Sequence, residues 1–218
     1  MPQNIIMKTI ADIRKEYKLQ TLLDKDVDTN PFVQFNKWWY DALNSEIDEV
    51  NAMTLATADK NALPSARIVL LKGVSEKGFV FFTNYNSHKG EDLEKNPHAC
   101  LVFFWKELER QVRISGKVQK INADESDAYF NSRPEGSRIG AWASPQSSVI
   151  ASRAIIEENI TKYTQQFADG NIVRPPHWGG YIVIPSVIEF WQGRSNRLHD
   201  RIQYSLKEGK WLIERLAP

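Results

Sequence analysis

Large apolar residues in the first fifty positions recur at helical spacing. Apolar side chains three and four positions apart line one face of a helix, and this spacing predicts a helix that ends near Lys18. A second helix is predicted from Asn30-Pro31, because a capping asparagine followed by proline is typical of a first helical turn. The apolar face of the first helix is formed by Ile6, Ile10, Ile13 and Tyr17, and that of the second by Phe32, Phe35, Trp38, Trp39, Leu43 and Ile47.

The pattern changes from residue 52, where short apolar runs are separated by polar turns. Closely spaced runs of this kind are typical of antiparallel strands in a barrel or a sandwich, rather than of alternating strands and helices. Strands are predicted at 52–58, 66–73, 79–83, 99–105, 111–121, 180–184, 187–192, 201–206 and 211–216. Helices are predicted at 88–95, 123–132 and 148–167, and a loop at 169–180. Because no repeat or linker composition interrupts this order, residues 1–218 are predicted to form one α+β domain.

Composition and charge narrow the class of protein. The chain has 28 Lys and Arg residues against 27 Asp and Glu residues, a net charge of +1. Proteins that coat nucleic acid or anionic membranes usually have a clear basic excess, so neither partner is expected and any anion site must be a local cluster of cations. Cys100 is the only cysteine, which excludes an intramolecular disulfide and a CxxC zinc site, and no metal is expected. Lys8 and Asp12 interrupt the short apolar run at the start, so a cytoplasmic protein is expected.

The sequence contains no P-loop, HExxH motif, nucleophile elbow or Rossmann fingerprint. Cations in four segments carry the candidate chemistry instead. In the first, Arg67 and Lys72 are five positions apart, which places them on opposite faces of a regular strand. A bulge or an interface would be needed for both to serve one site. In the second, residues 83–90, hydroxyls with His88 and Lys89 precede a short helix whose free N–H groups can bind a phosphate, although a solvated turn would have the same composition.

The other two segments lie in the second half of the chain. Tyr129 and Arg133 share one helical face, and Ser137 follows a proline break. An arginine can bind a phosphate dianion through two hydrogen bonds, although an Arg–Tyr pair is also common on helix surfaces without a function. The last segment, 189–201, holds three arginines, a histidine and a tryptophan around one tight connection. Packing alone does not explain so many cations near the end of a strand.

Taken in this order, the segments resemble the pyridoxamine 5′-phosphate oxidase family. The resemblance implies an FMN-binding split β-barrel of antiparallel, Greek-key type with flanking helices, and a homodimer with FMN at the subunit interface. It implies oxidation of pyridoxamine 5′-phosphate and pyridoxine 5′-phosphate to pyridoxal 5′-phosphate. A hydride would pass from C4′ to flavin N5, and O2 would reoxidise the flavin to give H2O2. The resemblance spans residues 14–218, and its most specific stretches are 67–72, 108–112, 132–134, 139–144 and 189–201.

The same resemblance implies roles for individual residues. FMN would be held by Arg67, Ile68, Val69, Leu70, Lys72, Phe82, Thr83, His88, Lys89, Gln111, Gln146, Ser147, Trp191 and Arg201. The substrate phosphate would be held by Lys72, Tyr129, Arg133 and Ser137. Residues 1–20 would form an N-terminal lid over the substrate ring. The implied catalytic group consists of Arg197 and His199, which would lie against the pyridine ring, and of Arg14 and Tyr17 in the lid.

The chain departs from the family pattern at one position and is ambiguous at another. The family usually has Ser-Arg-Lys where this chain has Ser87-His88-Lys89. His88 either fills space or contacts the FMN phosphate and is charged only when protonated. In the second case FMN affinity would weaken as the pH rises, and His88→Arg would remove that dependence. The family often has an acidic residue close to the substrate near position 49, and both Asp48 and Glu49 qualify.

Two other functions are compatible with the same segments. One is a split-barrel reductase that passes electrons to a different acceptor. The other is a module that binds flavin or pyridoxal phosphate without turnover. The Tyr129, Arg133 and Ser137 group and the pairing of Arg197 with His199 favour the oxidase, since a reductase has no need of a second phosphate site.

Overall fold

The computed structural model describes residues 9–218. The helix predicted to begin at residue 148 begins instead at Ala154. The helices are α1 (Pro31–Leu43), α2 (His88–Lys95), α3 (Ala123–Asn131), α4 (Glu135–Ala143) and α5 (Ala154–Gln166). The strands are β1 (Ala52–Ala58), β2 (Pro64–Leu70), β3 (Gly73–Ser75), β4 (Gly78–Asn84), β5 (His98–Trp105), β6 (Arg110–Lys120), β7 (Trp178–Gln192), β8 (Asp200–Lys207) and β9 (Lys210–Leu216). Short 3-10 helices span Ile10–Asp12, Asp24–Asp26, Lys106–Leu108 and Ser195–Arg197. Within residues 9–218, no helix has both the length and the apolar character needed to cross a membrane.

The nine strands form one sheet in which every pairing is antiparallel, as predicted. The main path runs β2-β1-β5-β6-β7-β4-β3, and β8 and β9 extend from β7. The first half of β7 pairs with β4 and its second half with β8, while β6 runs along both halves. In the described part of the chain β2 and β3, the two ends of the path, are not paired with each other. The sheet is therefore an open barrel.

The strand β7 is continuous, and the prediction of two strands at 180–184 and 187–192 is wrong. Pro185 has no N–H to donate to a neighbouring strand, and the β6–β7 register shifts there, so that Ser186 is bulged out. Gly116 lies opposite Pro185, where a Cβ atom would collide with a backbone carbonyl of β7. A bulge bends a strand without ending it, which lets β7 serve both parts of the sheet.

The main core fills the barrel, and α1 packs against it. Phe32, Phe35 and Trp38 of α1 are buried in this core. The helix begins where the sequence predicted, since the Asn30 side chain accepts a hydrogen bond from the Phe32 N–H at 2.8 Å. Burying one such apolar side chain stabilises a fold by about 1.5–3 kcal/mol. The predicted apolar face of α1 is therefore buried at Phe32, Phe35 and Trp38, whereas Leu43 is exposed and Ile47 lies beyond the end of the helix.

A smaller apolar cluster lies beneath α3, α4 and α5, and α4 was not predicted from the sequence. Glycines at 136 and 140 are unfavourable inside helices, and Pro134 suggested a break. Pro134 in fact occupies the N-cap position, where proline is tolerated. Ile139 and Ala143 bury the inner face of α4. The cluster is formed by Phe130, Ile139, Ile172 and Trp178.

The first predicted helix is wrong over the residues that the structure describes. Ile6 lies outside them, and residues 9–18 form only the turn Ile10–Asp12 and are otherwise without regular structure. Ile10 and Ile13 are 91% and 72% exposed, so no apolar surface covers this part of the predicted face. A helix of this length is not stable without such cover.

Candidate active site

A cleft of about 510 Å³ is lined by residues from β2, β4, α2, α3 and α4. Twelve of the residues assigned from the sequence line it: Arg67, Ile68, Val69, Leu70, Lys72, Phe82, Thr83, Lys89, Tyr129, Arg133, Ser137 and Gln146. The other lining residues are Asn84, Gly140, Ala141, Ser144 and Trp178. Among the described residues, four cations thus line the cleft and no carboxylate does.

The course of the chain after β2 explains how Arg67 and Lys72 reach the same cleft. Strand β2 pairs with β1 only as far as Leu70, and the chain then crosses to β4, where the Lys72 N–H donates to the Val80 carbonyl at 2.8 Å. The alternation of faces holds only within a regular strand. This change of partner strand, rather than a bulge or an interface, places both cations in the cleft.

Lys89 lies in the first turn of α2 and is buried. Its Nζ donates to Gln146 Oε1 at 3.1 Å and to Ser87 Oγ at 3.2 Å. Burial lowers the pKa of Lys89, and the positive charge of Arg67 lowers it further. Desolvation and a nearby like charge both disfavour the charged form. A bound anion would relieve both effects, so this end of the cleft is suited to one.

The buried carboxylate of Asp92 holds Arg67 in place. Asp92 Oδ2 accepts hydrogen bonds from Thr57 Oγ1 at 2.6 Å and from Ser65 Oγ at 2.9 Å. The Arg67 guanidinium donates to the same two hydroxyls at 2.7 and 2.6 Å, and lies 3.7 Å from Asp92. Burial lowers the pKa of Arg67, while the charge of Asp92 opposes that effect. Asp92 was not predicted from the sequence, because an acidic residue in a short polar helix has no feature that predicts burial.

The Arg133 guanidinium is not fully hydrogen-bonded. Its Nη1 is buried and has no hydrogen-bond partner among the described residues. Burial lowers the pKa of Arg133, with an opposing contribution from Tyr129. The guanidinium lies 4.6 Å from the centroid of the Trp178 ring, and Phe82 stacks on both Tyr129 and Trp178, with 3.9 and 5.4 Å between centroids. Because a buried donor without a partner is costly, this position also calls for an anion.

The residues implied for the substrate ring lie elsewhere in the chain. A second cavity, of about 720 Å³, is lined in part by Arg14, Tyr17, Arg197 and His199. The Tyr17 ring packs edge-on against Trp191 with 5.8 Å between centroids, and Trp191 lies 4.5 Å from the His199 ring. Gly193 permits this packing, because a Cβ atom there would lie 2.7 Å from Tyr17 Cγ. No lining residue is shared by this cavity and the cleft.

His199 has a defined orientation in this second cavity. Its Nδ1 accepts a hydrogen bond from the Arg194 N–H at 3.0 Å. Nδ1 is therefore unprotonated, and the neutral ring carries its proton on Nε2. Burial lowers the pKa of His199, and the charge of Arg197 lowers it further. The ring is thus held as a neutral hydrogen-bond donor.

The cleft and the second cavity lie at opposite ends of β7. Gly179 pairs with Thr83 of the cleft, whereas Trp191 pairs with Gln111 on one side and Arg201 on the other. Gly179 and Trp191 are twelve positions apart, which corresponds to about 40 Å measured along the strand at about 3.3 Å per residue. Gln111, Trp191 and Arg201 were assigned to FMN from the sequence. They lie in or beside residues 191–199, called the ring cluster below. Within one chain they are therefore away from the other residues assigned to FMN.

Two further residues assigned to FMN, His88 and Ser147, do not line the cleft. The His88 side chain is 62% exposed, and its Nε2 lies 3.7 Å from Asp92 Oδ1. Ser147 is exposed and has φ of 70°. The position of His88 favours the interpretation that it fills space, and its contribution to FMN binding stays a prediction.

The two acidic candidates near position 49 are in different places. Asp48 lines a third cavity, of about 520 Å³, and Lys72 lines both this cavity and the cleft. Glu49 lines neither of them and is exposed. Of the two, Asp48 is therefore the one that shares a cavity with a residue assigned to the substrate.

Solved structures share this architecture. PhzG from Burkholderia lata 383, in complex with tetrahydrophenazine-1-carboxylic acid, is similar with a TM-score of 0.85 and 27% identity, over 92% of this chain and 99% of that one. A pyridoxamine 5′-phosphate oxidase-related, FMN-binding protein from Nostoc punctiforme is similar with a TM-score of 0.67 and 17% identity, over 88% and 100% of the chains. The fold is thus the FMN-binding split barrel, as predicted.

Family models and curated relatives narrow this class further. Residues 40–167 match the model for pyridoxamine 5′-phosphate oxidase, and residues 178–218 match the model for the pyridoxine 5′-phosphate oxidase C-terminal dimerisation region. The pyridoxine/pyridoxamine 5′-phosphate oxidase of Paraburkholderia phymatum is 59% identical over 97% of this chain and 100% of its own length. That of Trichormus variabilis is 57% identical over 97% and 99%. The chain belongs to the pyridoxamine 5′-phosphate oxidase family, and the predicted oxidoreductase is confirmed.

Proposed function

We propose that this protein is an FMN-dependent oxidase that converts pyridoxamine 5′-phosphate and pyridoxine 5′-phosphate to pyridoxal 5′-phosphate. One observation carries the proposal. The cleft brings Arg67, Lys72, Lys89 and Arg133 into one volume whose described lining holds no carboxylate. Four cations in one cleft suit a phosphorylated cofactor beside a phosphorylated substrate. The names of relatives that are 57% and 59% identical support the same activity.

The residues at the α2 end of the cleft fit FMN. Arg67 and Lys89 would bind its phosphate, because an anion there offsets the burial that lowers the pKa of both side chains and the charge of Arg67 that lowers the pKa of Lys89 further. Thr83 and Gln146, which are hydrogen-bonded to each other at 3.3 Å, add polar groups beside them. When bound, FMN accepts a hydride at N5 and returns the electrons to O2, giving H2O2.

The remaining residues would hold and orient the substrate. Lys72, Tyr129, Arg133 and Ser137 would bind its phosphate, and this anchor would fix the position of C4′. Such orientation supplies up to about 7–11 kcal/mol in ideal cases. Arg197 would stabilise negative charge on the pyridine ring, and His199 would donate a hydrogen bond through Nε2. The 4′-alcohol gives the aldehyde directly, whereas the 4′-amine gives an imine that water hydrolyses to the aldehyde and ammonia.

The separation of the two groups of residues along β7 supports a site shared between subunits. In a homodimer with two-fold symmetry, the same surface of each chain meets its counterpart, so each cleft can face the second cavity of the other subunit. Residues 178–218, which match a dimerisation region, include β8, β9 and the ring cluster at 191–199. The proposed active site therefore combines the cleft of one subunit with Trp191, Arg197 and His199 of the partner subunit.

The N-terminal segment has the position that a lid requires. Residues 13–17 line the second cavity beside Arg197 and His199. Closure of such a segment would exclude water from the substrate ring. Of the predicted lid at 1–20, residues 1–8 lie outside the described residues. The lid role, and the behaviour of the chain as one domain, are parts of the proposal.

The state of His199 leads to a pH prediction. A histidine whose pKa is lowered stays neutral to lower pH than an ordinary histidine, and protonation at Nδ1 would break its hydrogen bond with the Arg194 N–H. We therefore expect kcat/KM to hold as the pH falls and to decline only below the ordinary histidine range, with the decline absent in His199→Asn. The substrate phosphate titrates near pH 6, so the comparison of the two profiles is the measurement. Identical acid limbs in both proteins would contradict this role.

One aerobic assay tests the proposed function against its alternatives. The purified protein, loaded with FMN, is given pyridoxamine 5′-phosphate, and aldehyde and peroxide are followed together. The oxidase is expected to form both in equal amounts. A reductase would not form aldehyde and peroxide together. A binding module would change the spectrum of its ligand without turnover. Either result would overturn the proposal.

A further inference from the structure

Glu109 is a buried acid that the proposed reaction does not use. It follows the 3-10 helix Lys106–Leu108 and precedes β6, and it is 2% exposed. Its φ of 54° lies in the left-handed region, which non-glycine residues rarely adopt. A buried carboxylate in an uncommon backbone conformation is kept only where the surrounding contacts hold it.

The side chain of Glu109 binds the chain just after Tyr17. Its Oε2 accepts hydrogen bonds from the backbone N–H groups of Lys18 and Leu19, at 2.8 and 3.0 Å. The nearest cation is the Lys15 ammonium at 3.7 Å, which is 57% exposed and therefore contributes little. The carboxylate is thus satisfied mainly by two amides of the N-terminal segment. Hydrogen bonds to a charged group are roughly twice as strong as those between neutral groups.

The backbone of Glu109 binds the other wall of the second cavity. Its carbonyl accepts a hydrogen bond from the Gly193 N–H at 2.7 Å, at the start of the connection that carries Arg197 and His199. Within the same connection, Ser195 Oγ donates a hydrogen bond to the Tyr17 carbonyl of the N-terminal segment at 3.3 Å. One residue therefore fixes both the segment with Arg14 and Tyr17 and the segment with Arg197 and His199. Glu109 itself does not line the cavity.

We propose that Glu109 is a positioning residue that holds the N-terminal segment against the 193–199 connection, and so sets the geometry of the wall that meets the substrate ring. The inference rests on the proposed function only for the identity of that substrate. Residues up to Tyr17 would be free to move about the fixed point at Lys18 and Leu19. Loss of the carboxylate should therefore impair substrate binding more than binding of FMN, whose proposed phosphate cations lie at the far end of β7.

The test compares Glu109→Gln and Glu109→Ala with a matched control, Glu107→Gln. Glu107 belongs to the same turn, but its carboxylate is exposed and its ion pair is with the adjacent Lys106 at 3.8 Å. Hydrogen exchange of the Lys18 and Leu19 amides is measured on the FMN-loaded protein without substrate. In Glu109→Ala we expect exchange to be about 10- to 100-fold faster, as loss of a charged acceptor implies. A smaller increase is expected in Glu109→Gln, which keeps one acceptor oxygen, and none in the control.

Kinetics separate a positioning role from a general structural one. KM for pyridoxamine 5′-phosphate should rise at least about tenfold in Glu109→Ala. The Kd for FMN should change less than this KM, because the cations proposed for its phosphate, Arg67 and Lys89, make no contact with Glu109. Unchanged exchange at Lys18 and Leu19, or equal losses of FMN and substrate affinity, would overturn the inference. If Glu109→Ala does not fold, the isosteric Glu109→Gln decides by the same criteria. Because exchange is measured without substrate, an inactive wild-type protein would refute the proposed function without affecting this result.

Discussion

Replacing Arg133 with alanine is expected to lower kcat/KM for pyridoxamine 5′-phosphate by about thirty-fold to a few thousand-fold. Removing one partner of a desolvated charge pair costs about 2–5 kcal/mol, and each 1.4 kcal/mol is about a factor of ten. Arg133 should reach this range because its buried Nη1 has no partner among the described residues and no carboxylate of the cleft competes for it. Steady-state kinetics with the phosphorylated substrate are the measurement.

The matched control for this prediction is Arg153→Ala. Arg153 is 86% exposed and pairs with Glu157 on the surface of α5, so its loss should leave kcat/KM within experimental error. FMN binding should persist in Arg133→Ala, since Arg67 and Lys89 are intact. If pyridoxine were turned over as fast as its 5′-phosphate, the anion site at Arg133 would have no role in catalysis.

Mixing two inactive variants is expected to restore about a quarter of the wild-type activity. Arg133→Ala damages the cleft, and Arg197→Met damages the second cavity. If each active site combines one cleft with the partner's second cavity, a mixed dimer has one site with both lesions and one site with neither. Random exchange makes half of the dimers mixed, and half of their sites intact. The measurement is activity after subunit exchange, with the mixed dimers counted by native mass spectrometry.

A second pair of variants controls for effects of mixing alone. Arg133→Ala and Lys72→Met both damage the cleft, so in a mixed dimer each site has one lesion and no activity should return. Recovery in both mixtures would point to an effect of mixing unrelated to shared sites. The absence of recovery from Arg133→Ala with Arg197→Met, in a sample where mixed dimers are present, would place the whole site within one chain.

Local patterns in the sequence were sufficient for much of the fold. The start of α1 was predicted because a cap and a proline act within one turn, as the Asn30 contact with Phe32 shows. The strands β1 and β5 were predicted within about one residue. The predictions that failed concern segments whose structure depends on contacts with residues distant in the sequence. α4 forms because Ile139 packs on a distant cluster, and the segment before Tyr17 stays irregular because no apolar surface covers it.

The residues of the candidate site also fall into two groups, those predicted from the sequence and those that were not. Residue types and spacing marked Arg67, Lys89, Arg133 and the segment with Arg197 as candidates, since cations at strand ends and helix starts are visible without coordinates. The structure places the first three in one cleft. Asp92 and Glu109 were not found, because their roles depend on burial. Each contacts residues far away in the sequence, and only the folded chain shows what an acid touches.

The sequence by itself therefore determined the order of the strands along the chain, the main cations and the family. The tertiary structure decided where these residues meet. The chain pairs with β1 up to Leu70 and with β4 at Lys72, and this change of partner strand places Arg67 and Lys72 in one cleft. In a regular strand the two side chains would lie on opposite faces. The unbroken β7 places Trp191 far from Thr83 within one chain. Both results come from pairing between strands distant in sequence, and the physical reason is that such hydrogen bonds leave no local periodicity from which they can be predicted.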